Sequence, residues 1–92
     1  MLTIVYTPSM KRDMKQMIKR GKDMSELDTV LKELANGRQL APRYRDHALK
    51  GKWKGFRECH IEKDWLLVYE IIASQLILSA TRTGSHKELL GL

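Results

Sequence analysis

The sequence contains few of the residues that mark secreted or membrane-spanning proteins. Among its 92 residues, Cys59 is the only cysteine, which excludes an internal disulfide and favours a reducing, cytoplasmic compartment. No apolar run reaches the roughly 18 residues that a membrane-spanning helix needs, so no membrane contact is expected. The N-terminal residues lack the basic-then-apolar order of a signal peptide. We expect one globular domain over residues 1–92.

Acidic residues are scarce in the middle of the chain, where most of the positive charge lies. The formal net charge is +6, and residues 37–63 alone hold eight Lys or Arg against three Asp or Glu. Such a segment suits a polyanion, and nucleic acid is the commonest polyanion of a cytoplasm. The alternative is a basic loop that is simply solvated.

The beginning of the chain predicts a strand and then a helix. Residues 2–6 are apolar and rich in β-branched side chains, which is typical of a strand. Thr7 and Pro8 are a typical helix start, with the threonine as cap and the proline at the first helical position. Methionines at helical spacing extend this helix over about 8–20, and Gly21 ends it.

A second helix and a loop are predicted next. Ser25 and Asp28 resemble a capping box, leucines at helical spacing follow, and Asn36-Gly37 ends the helix. The two helices therefore form a helical hairpin. Residues 38–52 are basic and contain a proline, so we interpret them as a loop.

The second half predicts three strands and a short tail helix. The strands cover residues 53–61, 65–72 and 75–82, and the tail covers 85–90. Short connections favour an antiparallel meander. The predicted order is β-α-α-β-β-β-α, an α+β fold in which a small antiparallel sheet carries the two N-terminal helices on one face.

All three histidines lie in polar clusters of this second half. They are His47, His60 and His86, and Asp64 and Arg82 lie close to two of them in sequence. Histidine can act as base or acid near neutral pH without large environmental tuning. Cleavage of RNA without a metal needs a base for the 2′-hydroxyl, an acid for the leaving 5′-oxygen, and a cation for the charged transition state.

Strand alternation divides the residues around His60 between two faces. Phe56, Glu58 and His60 are predicted to share one face, and Cys59 to lie on the other. A thiol nucleophile acting with the adjacent His60 is therefore not favoured.

Each candidate also has a purely structural interpretation. His47 could be a loop residue bonded to Asp46, His60 a surface histidine, His86 a helix cap, and Arg82 one half of a surface ion pair.

The two tryptophans and the three histidines could also serve in binding. Trp53 and Trp65 are more often core residues, although either could stack on a base. The histidines are separated by 13 and 26 residues, which matches no short zinc signature, so no metal is expected.

One long stretch resembles a known family. It runs from Asp46 to Tyr69 with the sequence DHALKGKWKGFRECHIEKDWLLVY, and Arg82 to His86 follow as RTGSH. Together they resemble the YafQ group, toxins of the RelE/ParE superfamily from bacterial type II toxin–antitoxin systems. The strong match covers roughly residues 44–91, and the N-terminal half matches in layout only.

The resemblance implies an mRNA interferase that enters the ribosomal A site and cleaves the codon there, without a cofactor. It implies a sheet with two helices on one face and the active site on the other. The positions that match the family's functional residues are His47, His60, Asp64, Trp65, Arg82 and His86. By this resemblance His86 would be the main acid or base, Arg82 would hold the scissile phosphate, and Trp65 would shape the site or contact RNA.

The resemblance also implies RNA contacts and partners. Lys50, Lys52 and Lys54 of the basic segment would hold ribosomal RNA phosphates, so binding would weaken with salt. Leu90 stands where some members carry an aromatic residue that would stack on RNA. The expected partner is a DinJ-like antitoxin, as a toxin–antitoxin heterotetramer that reaches DNA only through the antitoxin. The other expected partners are the 70S ribosome and mRNA.

Two other functions remain open from the sequence. A non-enzymatic inhibitor of DNA gyrase, as in the ParE branch, would not depend on this set of histidines. A simple basic nucleic-acid-binding module would bind RNA with the histidines dispensable.

Overall fold

The protein is an α+β fold in which one sheet separates two helices from a third. The computed structural model describes residues 1–91. Its elements are, in chain order, β1 (Thr3–Tyr6), α1 (Pro8–Lys19), α2 (Met24–Ala35), β2 (His47–Ala48), β3 (Arg57–Glu62), β4 (Trp65–Ile72), β5 (Ile77–Gly84) and α3 (His86–Leu90). The fold class and the order of the predicted elements are confirmed, and β2 is an addition.

The sheet has five strands in the order β1-β5-β4-β3-β2, and it is mixed rather than antiparallel. The predicted meander of β3, β4 and β5 is confirmed. The N-terminal strand pairs parallel to β5, from Thr3 with Ile77 to Tyr6 with Ala80. The purely antiparallel prediction was wrong at this edge, because connection length constrains only neighbours in sequence and β1 pairs with a strand some seventy residues away.

The starts of the two long helices are set by different caps. Thr7 caps α1 as predicted, since its hydroxyl accepts a hydrogen bond from the backbone N–H of Met10 at 2.9 Å. The predicted cap of α2 was wrong: Asp23, not Ser25, is the N-cap. The Asp23 carboxylate accepts both the backbone N–H and the hydroxyl of Ser25, at 3.0 and 2.6 Å. A carboxylate is favoured there because it also faces the positive end of the helix dipole.

The predicted loop of residues 38–52 contains a two-residue strand, and the predicted strand from residue 53 begins later. His47 and Ala48 pair antiparallel with Glu58 and Arg57. A 3-10 turn over Gly51–Trp53 then delays the start of β3 to Arg57. A strand of two residues is too short for any alternation of polar and apolar side chains to reveal it.

Both faces of the central strand β4 are buried, as its apolar sequence predicted. Trp65, Leu67 and Tyr69 face α1 and α2 in the main core. Leu66 and Val68 face the other way, and a second, smaller cluster forms there with Leu89 of α3. Glu58 and His60 of β3 share this second face. None of the helices within residues 1–91 has the length and apolar character needed to cross a membrane.

The short helix α3 is held by a capping box that is tied to α1. The Ser85 hydroxyl accepts the Glu88 N–H, and a Glu88 carboxylate oxygen accepts the Ser85 N–H at 3.0 Å. The same carboxylate also accepts hydrogen bonds from both terminal nitrogens of Arg20, the C-cap residue of α1. One acidic side chain thus fixes the end of the sheet against the first helix.

This cap is expected to weaken in acid. The hydrogen bond from Arg20 is the main reason that the pKa of Glu88 is lowered from 4.5 to about 2. A group with a lowered pKa stabilises the fold above its unfolded pKa and loses that contribution as the pH falls through the folded value. Thermal unfolding is measured for wild type and Glu88→Gln between pH 6 and pH 2. The melting temperature of wild type should be higher than that of the variant at pH 6, and the two should approach each other near pH 2. A gap that stays constant over this range would contradict the assignment.

Candidate active site

The polar face of the sheet lines up residues that are far apart in sequence. Strand register forms one row that crosses four strands, through His47, Glu58, Val68 and Arg82. The next row contains His60, Leu66 and Gly84, and α3 follows directly with His86 as its first residue. The predicted sharing of a face by Glu58 and His60 is confirmed, and Cys59 lies in the main core on the other side.

Glu58 lies at the centre of this face, surrounded by the three histidines. Its side chain is only 3% exposed. One carboxylate oxygen lies 3.5 Å from His60 Nε2 and 3.4 Å from His86 Nε2, and the other lies 3.9 Å from His47 Nε2. The rings of His60 and His86 are in edge contact, with centroids 5.2 Å apart. A buried carboxylate among imidazoles stabilises whichever ring carries a proton.

His86 is oriented by Asp64, which lies in the turn between β3 and β4. The Asp64 carboxylate accepts the backbone N–H of His86 at 3.2 Å and its Nδ1–H at 3.1 Å. These bonds, the backbone one first, hold the pKa of Asp64 below its ordinary value. With Nδ1 bound to Asp64, the other ring nitrogen of His86 faces Glu58 and the open side of the site.

His47 is oriented by its own loop rather than by a bond to Asp46. Its Nδ1–H donates to the Arg45 carbonyl at 2.7 Å. Arg45 adopts the left-handed conformation, φ 49°, which turns that carbonyl toward the ring. Asp46 instead accepts the Tyr69 hydroxyl at 2.6 Å and fixes the loop to the sheet. The Nε2 atom of His47 therefore points toward Glu58.

Arg82 is the one predicted catalytic residue that lies apart from the histidines. Val68 separates it from Glu58 in the same row. Its guanidinium donates to Asp13 of α1 through Nε at 2.6 Å and Nη2 at 3.2 Å, and this partner raises the pKa of Arg82. The ion-pair interpretation of Arg82 therefore holds, with a partner that the sequence did not suggest.

The resemblance implied that Trp65 would shape the site or contact RNA, and its burial contradicts the contact with RNA. Trp65 is fully buried on the helix side of the sheet, opposite the histidines. Its indole N–H donates to the Thr83 hydroxyl at 2.8 Å, and that hydroxyl donates to the Leu66 carbonyl. Strand alternation from Leu66, whose side chain faces the site, places Trp65 in the core.

The other predicted RNA contacts lie at the edge of the site face. Lys50, Lys52 and Lys54 are exposed on the turn before β3. Leu90 is half-buried against the second apolar cluster, which also includes Trp53 and Phe56. The contact of these lysines with RNA stays a prediction, and Leu90 packs against the cluster that contains Leu89 of α3.

The sequence pattern placed Glu58 on the same face as His60 but indicated no role for it. The signal was the alternation itself, since a carboxylate two residues before a candidate histidine must share its face. Ligand atoms of Glu58, His60 and His86 all lie within 4.8 Å of one another. Two imidazoles and a carboxylate are a donor set that suits Zn²⁺ or Cu²⁺, although the histidine spacing had argued against a metal.

The fold and site define a small basic α+β domain with a histidine–carboxylate centre on one face of its sheet, and comparisons with known proteins identify its family. A family model for the bacterial toxin YafQ of type II toxin–antitoxin systems matches residues 2–91. The chain is 39% identical to the mRNA interferase toxin YafQ of Escherichia coli K12 over 89 residues, covering 96% of this chain and 95% of the relative.

Two solved structures are similar over almost the whole chain. One is a metal-bound toxin from Helicobacter pylori, with TM-score 0.93, 46% identity and coverage of 98% of this chain and 100% of the other. The second is YafQ in the E. coli DinJ–YafQ complex, with TM-score 0.89, 37% identity and coverage of 99% and 100%. The chain belongs to the YafQ family, bacterial toxins of type II toxin–antitoxin systems.

Proposed function

We propose that this toxin is an mRNA interferase, an endoribonuclease that cleaves mRNA in the A site of the translating ribosome. The observation that carries the proposal is the convergence of three imidazoles on the buried carboxylate of Glu58. Its relative in E. coli is named an mRNA interferase toxin. The ParE-like inhibition of gyrase is not favoured, because it gives this convergence no role.

The proposed chemistry is acid–base catalysis by the imidazoles. One ring takes the proton of the 2′-hydroxyl, whose oxygen then forms a bond to the adjacent phosphorus. Another ring protonates the 5′-oxygen as its bond to the same phosphorus breaks, which leaves a 2′,3′-cyclic phosphate. Glu58 stabilises the imidazolium that forms, and Asp64 orients His86, as the carboxylate does in a catalytic triad. Each proton transfer contributes roughly 10²–10⁴ in rate. Arg82 supplies positive charge to the phosphate in this scheme.

The proposed partners follow from charge and from the relatives. Lys50, Lys52 and Lys54 would contact ribosomal RNA. The E. coli relative is bound to DinJ in its complex, so a DinJ-like antitoxin is proposed here, in a heterotetramer that reaches DNA through the antitoxin. The translating ribosome places the reaction in the cytoplasm.

The test is primer extension on an mRNA in a reconstituted translation system. Cleavage within codons that requires ribosomes supports the proposal. The variant that replaces Lys50, Lys52 and Lys54 with alanine should lose activity and show a weaker dependence on salt. The matched control replaces Lys11, Lys15 and Lys19 on α1. Cleavage of naked mRNA at the same rate would contradict the ribosome dependence.

A divalent metal at Glu58, His60 and His86 is a second proposal, favoured by their geometry and by the metal-bound relative. The ion would occupy imidazole lone pairs that proton transfer needs, so it should inhibit cleavage. Titration with Zn²⁺ should show one binding site that is lost in His60→Ala, and cleavage should fall as the site fills. Full activity of the zinc-saturated protein would contradict inhibition.

Replacing Trp65 with phenylalanine should affect stability and spare cleavage. The variant loses the hydrogen bond to Thr83 and part of the buried volume, which together cost about 1–3 kcal/mol. Urea unfolding measures this loss, and the cleavage rate per folded molecule should match wild type. Trp53→Phe serves as the half-buried control. A loss of cleavage at unchanged stability would contradict this expectation and indicate a direct contact between Trp65 and RNA.

A further inference from the structure

Asp13 makes a contact that the proposed acid–base chemistry of the histidines does not use. It lies in the middle of α1, on the lysine-rich helix, yet its side chain is only 16% exposed. The carboxylate accepts from Arg82 Nε and Nη2 and also from the backbone N–H of Thr83, at 3.1 Å. Three donors on two consecutive residues of β5 therefore converge on one acidic group.

The sheet topology explains why this carboxylate is needed. The pairing of β1 with β5 stops at Ala80, so the last part of β5 has no strand on that side. The start of α1 replaces the missing strand: the Thr7 N–H donates to the Ala80 carbonyl, and the Thr7 hydroxyl donates to the Thr81 carbonyl. Asp13, nearly two helical turns further along α1, continues this contact by accepting the Thr83 N–H.

The contact leaves part of the Arg82 guanidinium available. An arginine side chain has five N–H donors, and Asp13 uses two of them. The terminal nitrogen Nη1 of Arg82 has no hydrogen-bond partner among residues 1–91, and the side chain is 32% exposed. A guanidinium fixed on one edge presents its other edge in a defined orientation, which favours recognition of a phosphate oxygen.

We propose that Asp13 is a positioning residue of the endoribonuclease reaction, which holds the Arg82 guanidinium so that its free edge binds the phosphodiester of the substrate. The inference rests on the proposed function. Asp13 does not touch the RNA and acts only through Arg82. Without Asp13, Arg82 keeps its charge but loses its fixed orientation. The guanidinium then samples many conformations, and only some of them contact the phosphate.

The test compares Asp13→Asn, Arg82→Ala and the double variant in single-turnover cleavage, corrected for the folded fraction. Asp13→Asn should lower the maximal rate by roughly 10- to 100-fold, more than it weakens substrate binding. It should have no further effect when Arg82 is already alanine. Asp13→Glu should restore part of the rate, because it returns the carboxylate. The matched control is Asp28→Asn, which removes an exposed carboxylate paired with Lys32 on α2 and should leave the rate unchanged.

Two outcomes would overturn the proposal. One is a wild-type rate in folded Asp13→Asn, and the other is an equal loss with and without Arg82, as a purely structural residue would give. An NMR measurement separates this from failure of the proposed function. The Arg82 Nε–H resonance should be protected from solvent exchange in wild type and exposed in Asp13→Asn. If wild type does not cleave, the proposed function fails, and this resonance alone decides whether Asp13 orients Arg82.

Discussion

Replacing His86 with alanine should lower the rate of mRNA cleavage by roughly 10²–10⁴ while the protein stays folded. The ring is the group that contacts both carboxylates of the site, with Nδ1 on Asp64 and Nε2 facing Glu58. Alanine keeps the backbone N–H that donates to Asp64, so α3 should still start at the same residue. Loss of activity then reports loss of proton transfer rather than loss of the helix.

The measurement is primer extension in the reconstituted translation system, beside thermal unfolding of each variant. Lys87→Ala, one position along the same helix and exposed, is the matched control and should cleave at the wild-type rate. A folded His86→Ala variant that still cleaves at the wild-type rate would sink the acid–base proposal. The histidine cluster would then have its role in metal binding alone.

Replacing Glu58 with glutamine should have a similarly large effect, roughly 10²-fold or more on the cleavage rate. Glutamine has the same shape but no charge, so the imidazolium that forms during the reaction loses its buried counter-charge. Zn²⁺ binding should weaken in parallel, because an amide oxygen is a poorer ligand than a carboxylate. Both effects come from one carboxylate that lies within 3.5 Å of His60 and His86.

The control for this variant is Glu70→Gln, the same substitution near the far end of β4. It should change neither cleavage nor zinc binding. Equal cleavage by wild type and Glu58→Gln would show that the carboxylate is only a structural partner of the histidines. Equal zinc affinity with reduced cleavage would keep Glu58 in the reaction and remove it from the metal site.

Local patterns in the sequence predict those parts of the fold that are determined by neighbouring residues in the chain. Alternation along β3 placed Glu58 with His60 and sent Cys59 to the core, and helical spacing located α1 and α2. Contacts between distant segments leave no such pattern. Three features depend on such tertiary packing: the parallel pairing of β1 with β5, the short strand at His47, and the ion pair between Asp13 and Arg82.

The errors at individual residues have the same origin. Ser25 and Asp23 are both good helix caps by type, and the choice between them is made by where the packed helix begins. Trp65 was given a binding role from a resemblance, but its burial follows from the face on which its strand places it. Glu58 was visible in the pattern but received no role, because its importance comes from the two histidines that the fold brings to it.

The parallel pairing of the first strand with the last one has a consequence for synthesis of the toxin. The sheet needs β5 and the site needs His86, and β1 precedes both of them by more than seventy residues. During synthesis, a chain that has not yet reached β5 therefore holds a first strand without its partner and a histidine centre without His86. The fold thus delays assembly of the histidine centre until β5 and α3 have both been made.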